Sequence, residues 1–359
     1  MSGTSLDGVD IAYCELEYSE TDAPRNKKEK SLWKFKIVAA ETIPFTTVWQ
    51  TRLREVENTN ALSFSLTHVD FGHYLGHLVT RFIKKKRLHP QLVASHGHTI
   101  FHQPGKALTT QIGDGAAIAA ECGLPVVCDF RSKDVALGGQ GAPLVPIGDE
   151  LLFSEYDFCL NLGGFANISF RKSKERRAFD VCPVNIVLNE LSKKLGKKYD
   201  DAGELARRGA INESLFKQLN ALNYFRQAPP KSLGKEWVLT NFLPLIAQSG
   251  VNPFDGLRTV VEHIGVQIAR ALNTVEKKKT KKKRGTLLVT GGGAYNTFLI
   301  ERIQFYTRAT ICLPDKNTIE FKEALIFGLL GILRWRNEVN CLKSVTGAKK
   351  DSSGGCIYM

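Results

Sequence analysis

No stretch of this 359-residue chain is apolar for long enough to span a bilayer, and none is placed as a secretory signal. The cytoplasm is therefore the expected compartment. Cys-x-x-Cys pairs are also missing, although eight cysteines are present. They are scattered through apolar segments, as at Cys14, Cys128, Cys159 and Cys312, and read as reduced, mostly buried thiols rather than a disulfide framework. A zinc-binding HExxH motif is absent. Neither His96-Gly97-His98 with His102 nor the His73 and His77 pair has a third ligand at recognisable spacing, so these imidazoles read as hydrogen-bonding groups and no metal is assigned to them. The chain lacks a GxxxxGK[ST] loop and a GxGxxG opening a βαβ unit, which argues against a P-loop enzyme and a dinucleotide-binding fold.

Acidic residues are outnumbered, 36 against 49 lysines and arginines, giving a net charge of +13. The excess sits in short runs: 26–30, Lys84 to Arg87, Lys172 to Arg177 and 277–284. Each falls where periodicity breaks, and none has interleaved aromatics on which bases could stack. They read as solvated loops, with no nucleic-acid partner and no membrane partner expected.

The length favours two domains. Strand patterns at Val9 to Glu17 and Trp33 to Thr42 predict a hairpin, and Phe64 to Lys86 has helical periodicity. Short apolar runs at Leu92 to Ala94 and Val126 to Asp129 end in polar residues, the pattern by which open α/β sheets build sites at strand ends. The second half repeats the scheme: strand, glycine turn and strand over Phe158 to Ser169, helices near Val184 to Leu195 and Val260 to Val275, then a strand ending in Gly291-Gly292-Gly293. This alternation predicts an α/β architecture with two related lobes and a boundary near Pro143 to Ser154.

The first ten residues place Gly3, Thr4, Ser5, Asp7, Gly8 and Asp10 in a turn that runs straight into an alternating apolar strand. Glycines let backbone amides approach an anion, hydroxyls add donors, and a carboxylate can hold magnesium or its waters. Further glycine turns at Gly163-Gly164 and Gly291 to Gly293 also border strands. One such turn commonly just ends a strand; three of them, over two lobes, point to an anionic ligand.

The motifs SGTSLDGVD, SHGHTIFH, QIGD, GGQGAPLVP, NLGGFANIS, PPKSLG and VTGGGAYN run nearly end to end. With Asp180, Pro183, Asn185, Glu323 and the late SVTGA, the chain resembles the 1,6-anhydro-N-acetylmuramic acid kinases of the sugar kinase, Hsp70 and actin superfamily. The resemblance implies a two-lobed actin-like fold built on ribonuclease H-like repeats, with ATP and magnesium in the cleft between lobes. It implies an N-terminal lobe over 1–150, a C-terminal lobe over 151–335, and a segment 336–359 returning to the first. The implied activity is ATP-dependent phosphorylation of the sugar's O6, coupled to hydrolytic opening of the anhydro bridge. The products are N-acetylmuramic acid 6-phosphate and ADP, in peptidoglycan recycling.

Carried over residue by residue, the resemblance assigns ATP phosphate binding to Gly3, Thr4, Ser5, Leu6, Asp7, Gly8, Val9 and Asp10, with Asp7 toward the metal. It assigns a second phosphate turn to Gly163 and Gly164, the adenosine turn to Gly291, Gly292 and Gly293, and the catalytic carboxylate to Asp180. Glu323 is implied near the sugar, where it could orient water; a solvated helical glutamate is an equally good account. Candidates for the sugar itself are His96, Thr99, Asp114, Arg131 and Asp134, with Arg131 the natural partner of the lactyl carboxylate because its guanidinium is a planar fork. Taken alone, Asp180 before a helix start also reads as an N-cap. A homodimer is compatible with the resemblance.

Two departures stand out. Relatives carry residues before SGTS that form the first strand of the N-terminal sheet, whereas this sequence starts within the motif. The expectation is a start assigned to an internal methionine. Val181-Cys182-Pro183-Val184 replaces a threonine- and glycine-containing stretch, which puts sugar preference in question more than kinase chemistry. The alternatives are another small-molecule kinase of the superfamily, or a catalytically silent ATP-binding switch.

Overall fold

The computed structural model describes residues 1–3, 6–19, 32–276 and 285–359. Thr4, Ser5, and the basic runs at 26–30 and 277–284 lie outside these residues. Two compact units account for the chain: Met1–Glu155 with Phe321–Met359, and Tyr156–Glu320. The chain re-enters the first unit at Phe321, earlier than residue 336, where a long helix departs from helical geometry (φ −115°, ψ 15°).

The first unit begins with an antiparallel hairpin of β1 (Gly8–Tyr18) and β2 (Trp33–Pro44), as the alternating pattern predicts. Helix α1 (Ala61–Lys86) follows; the Asn60 side chain accepts from Ser63 N, and Arg87 ends it in the left-handed region at φ 53°. Its apolar face buries Phe71, Leu75, Leu78 and Phe82. Next come β3 (Val93–Ala94), the hairpin β4 (His98–Gln103) and β5 (Leu108–Ile112), α2 (Gly115–Cys122) and β6 (Val126–Cys128). The start of α2 lies so close to α1 that a Cβ on Gly72 would fall 2.6 Å from the Asp114 carbonyl oxygen. Only glycine fits there.

In the second unit β7 (Phe158–Leu162), β8 (Phe165–Lys172) and β9 (Glu175–Pro183) form an antiparallel meander. Helices α3 (Asn185–Lys193) and α4 (Pro253–Glu276) lead to β10 (Thr286–Thr290), α5 (Thr297–Tyr306) and β11 (Thr310–Cys312). The sheet order is β11-β10-β7-β8-β9, with β10 parallel to both β7 and β11. That order and polarity are those of a ribonuclease H-like repeat. Leu257, Val260, Val261, Ile264 and Ile268 of α4 are fully buried in the core that also takes Leu160 and Ile168. Each such side chain contributes about 1.5–3 kcal/mol.

The chain then returns through α6 (Lys316–Trp335) and β12 (Cys356–Tyr358). In the first unit β12 pairs antiparallel with β6, and β6 pairs parallel with β3. A buried ion pair, Lys322 Nζ to Asp149 Oδ1 at 2.6 Å, fixes α6 just beyond its irregular turn. All eight cysteines carry free thiols; Cys128, Cys159, Cys182 and Cys341 are buried, and Cys356 is exposed. Among the described residues no helix is long and apolar enough to cross a membrane, and no cluster of three His, Cys, Asp or Glu residues could hold a metal.

Candidate active site

In the second unit the site starts from β9. Across the β8–β9 pair Asn167 faces Asp180 while Ala166 faces Cys182, so Val181 is the extra residue of a bulge. A bulge re-aims the side chain beside it. Asn167 Nδ2 donates to Asp180 Oδ1 at 2.9 Å, and Leu233 N donates to Oδ2 at 2.9 Å. The backbone of Asp180 is held as well, its N–H donating to Lys231 O at 3.2 Å and its carbonyl accepting from Tyr224 Oη at 2.5 Å. Burial raises the carboxyl's pKa above its ordinary value, and the Asn167 and Leu233 hydrogen bonds oppose the rise. The position before α3 does not make Asp180 an N-cap; that place belongs to Val184. Asn167 and Leu233 were not singled out from sequence, yet both lie in quoted motifs, NLGGFANIS and PPKSLG.

Two glycine turns meet at the carboxyl ends of the neighbouring parallel strands β7 and β10. Gly291 sits at φ +82°, and a Cβ there would lie 2.5 Å from Asn161 Oδ1; one on Gly293 would lie 2.7 Å from Leu162 Cβ. These two glycines are demanded by the fold. Gly163, Gly164 and Gly292 are different: a Cβ on each would meet nothing nearer than 3.5, 4.0 and 3.9 Å respectively. Their missing side chains leave backbone open to approach from outside. The Gly163 and Gly164 carbonyls accept from Asn185 N and Val184 N, which ties the turn to the start of α3.

In the first unit the glycine-rich loop closes through Leu6 N to Gly3 O at 3.2 Å, with Leu6 at φ 57°. Gly3 and Asp7 are exposed, whereas Gly8 and Val9 are buried. Val9 packs in the core, so only its backbone can serve a ligand. Asp10 accepts from Thr42 Oγ1 at 2.6 Å.

His96, Arg131 and Asp134 gather around the Gly138–Gly141 loop. Arg131 Nε and Nη2 donate to His96 Nε2 at 3.0 and 2.9 Å, and Arg131 Nη1 donates to Gly141 O at 2.6 Å. Since His96 Nε2 accepts, Nδ1 carries the proton and donates to Gly97 O at 3.1 Å. Burial and then Arg131 hold the imidazole pKa well below its ordinary value. Glu323 is solvent-accessible on α6, yet desolvation raises its carboxyl pKa against the opposing pull of Arg131 and Lys322.

Asp134 needs correcting as a sugar contact. It is 1% exposed, and its carboxylate accepts from Thr346 Oγ1 at 2.8 Å, Cys341 Sγ at 3.1 Å and Gly141 N at 2.7 Å. Its job is to tie the glycine loop to the late SVTGA segment. Asp114 is the N-cap of α2, accepting from Ala117 N at 2.7 Å, with His68 Nε2 3.4 Å from its other oxygen. Thr99 accepts from Gln111 Nε2 at 3.3 Å across the β4–β5 hairpin. The carboxylates of Asp114 and Asp134 are thus engaged by partners within the fold.

The family model for anhydro-N-acetylmuramic acid kinase matches residues 1–359. The chain belongs to the anhydro-N-acetylmuramic acid kinase family. It is 34% identical to the anhydro-N-acetylmuramic acid kinase of Mannheimia succiniciproducens over 388 residues, covering 100% of this chain and 97% of that one. Identity to the Sulfurovum enzyme of the same name is 34% over 373 residues, covering 100% and 98%. Among solved structures, the activator of the 2-hydroxyisocaproyl-CoA dehydratase from Clostridium difficile aligns with a TM-score of 0.38 at 11% identity, over 88% of this chain and 92% of that one. That likeness is too slight to carry an argument, and membership of the anhydro-N-acetylmuramic acid kinase family rests on sequence.

Proposed function

We propose that this chain is an ATP-dependent kinase of 1,6-anhydro-N-acetylmuramic acid that adds water across the anhydro bridge and phosphorylates O6, within cell-wall recycling. Membership of the family over all 359 residues carries this reading. ATP is the phosphoryl donor. The loop flanked by exposed Gly3 and Asp7 and the unobstructed Gly163-Gly164 turn serve its phosphates, and the Gly291–Gly293 turn serves its adenosine. A hard cation suits the exposed carboxylate of Asp7, and magnesium, when bound, neutralises phosphate charge.

Asp180 is the general base. Its carboxylate is aimed by two donors and its raised pKa strengthens it as a proton acceptor. Water forms a bond to the anomeric carbon, its proton goes to Asp180, and the bond from that carbon to O6 breaks. O6 then takes the γ-phosphoryl group, releasing ADP. Arg131, with its fork fixed by His96 and Gly141, pairs with the lactyl carboxylate, and Glu323 orients water. The same reading takes the reaction to be cytoplasmic and is compatible with a homodimer, both on the family resemblance.

Incubation with ATP, magnesium and the anhydro sugar in heavy-oxygen water tests it. The label should enter at the anomeric position of a phosphorylated product. Phosphorylation without label would show a simpler sugar kinase, and nucleotide binding without sugar-dependent ADP release would show a silent switch.

A further inference from the structure

Strand register sets two of the eight cysteines against each other. In the first unit β12 pairs antiparallel with β6, and the residue opposite Cys128 is Cys356. In the other described strand pairings each cysteine faces a residue of another type: Cys14 faces Ile37, Cys182 faces Ala166, and Cys159 and Cys312 both lie against Leu288. Directly opposed residues send their side chains to one face of a sheet, so the two thiols lie on the same side.

The backbone fixes their spacing. Val93 N and Ser95 N donate to Pro125 O and Val127 O, which turns the polar backbone groups of Val127 toward β3. Those of Val126 and Cys128 therefore turn toward β12, and Cys128 with Cys356 is a hydrogen-bonded pair. Such a pair has its Cα atoms about 5.5 Å apart, within the span of about 4.4–6.8 Å that a disulfide bridges. Neither strand has to move.

The two thiols differ in access. Cys128 is 8% exposed and lies under the start of α2, where a Cβ added to Gly115 would fall 2.6 Å from its Sγ; Cys356 is exposed. Burial pushes the Cys128 thiol up to about 12, so it stays protonated at neutral pH and is not the first to react. Cys356 is the thiol that a dissolved oxidant reaches. The neighbouring segments matter too. β6 runs on through Asp129 to Arg131, whereas β12 follows Gly355, whose carbonyl accepts from Arg334 Nε of α6 at 2.8 Å. β12 itself is a three-residue strand at the edge of the sheet β12-β6-β3, with few main-chain bonds to hold it.

We infer that Cys128 and Cys356 form a redox-sensitive staple, closed by a hydroperoxide and opened by a thiol reductant, that fastens β12 to β6. The hydroperoxide oxidises Cys356 to the sulfenic acid: its O–O bond breaks, one oxygen passes to Sγ, and the other leaves as the alcohol, or as water from hydrogen peroxide. Cys128 Sγ then attacks Cys356 Sγ. The S–O bond breaks, the S–S bond forms, and the Cys128 proton leaves with the hydroxyl as water. Two reductant thiols restore both cysteines and depart as their own disulfide.

Treatment of residues 1–359 with one equivalent of hydrogen peroxide tests this without sugar or nucleotide. Free thiols should fall by two from eight, and non-reducing peptide mapping should recover the Cys128 and Cys356 peptides as one linked species that dithiothreitol separates. Amide hydrogen exchange at Tyr358 should slow by about tenfold or more in the oxidised protein. Under the same treatment Cys356→Ser, a change at an exposed position, should leave Cys128 reduced and Tyr358 exchange unaltered. Cys128→Ala should hold Cys356 at the sulfenic stage, where dimedone traps it. An unchanged thiol count, a link between other cysteines or between two chains, sulfinic acid at Cys356 with Cys128 still reduced, or unslowed exchange at Tyr358 overturns the proposal.

Discussion

The two units carry sheets of unequal completeness. In the second, five strands form one unbroken sheet, and the carboxylate proposed as the base sits on it at a bulge with donors on both oxygens. In the first, β1 with β2 and β3 with β6 and β12 are separate fragments, and the loop proposed to hold phosphate leads into the fragment that includes β1. Continuity of a sheet transmits position, so a side chain on the second unit is fixed by the whole layer. The first unit relies on side-chain knots instead: Asp134 with Thr346 and Cys341, Lys322 with Asp149, and Arg131 with His96.

The contrast can be broken most severely at Asp180. Asp180→Asn should lower kcat by about 10²–10⁴-fold while nucleotide binding persists, measured by ADP release and fluorescence titration. The same substitution separates function from stability. Because folding raises this carboxyl's pKa, its ionised form disfavours the fold, a cost absent below the ordinary carboxylate range and complete above the raised value. Asp180→Asn should therefore melt higher than the parent at neutral pH, and the gain should vanish in strong acid.

Asp134→Ala probes the knots. Stranding three buried donors should cost about 3 kcal/mol in chemical denaturation, with the lost activity following the lost fold. The glycine turns sharpen the comparison further. Gly164→Ala should raise the KM for ATP by about tenfold or more with melting unchanged, whereas Gly291→Ala, strained at φ +82°, should lower the melting temperature itself. The smallest effect is expected at Asn167. Its hydrogen bond lowers the Asp180 pKa, so Asn167→Ala should move the acid limb of kcat/KM to higher pH, read from a pH profile.

Much of the fold was legible because its periodicities are strong. The hairpin β1–β2, the helix α1 and the strand-turn-strand of β7–β8 lie within a few residues of where alternation and helical spacing put them. The bulge at Val181 was not, since nothing in a run of apolar residues says that one of them is extra. Asp134 shows the complementary limit. Its motif marked it as important, but a carboxylate facing a sugar and one facing three internal donors have the same sequence signature. Likewise Gly163 and Gly291 look alike in sequence, and only the surrounding atoms tell a glycine that leaves room from one that the backbone requires.

The pairing of His96 with Arg131 reaches beyond geometry. With Nε2 turned to the guanidinium and Nδ1 committed to Gly97, the ring cannot take up a second proton without breaking its grip, and Arg131, although burial lowers its pKa to about 10, stays charged at neutral pH. Mild acidification therefore leaves the fork aimed and positive. If Arg131 captures the anionic sugar and Asp180 takes the proton, as proposed, the two steps are gated by different groups, and a drop in pH should slow turnover before it loosens the substrate.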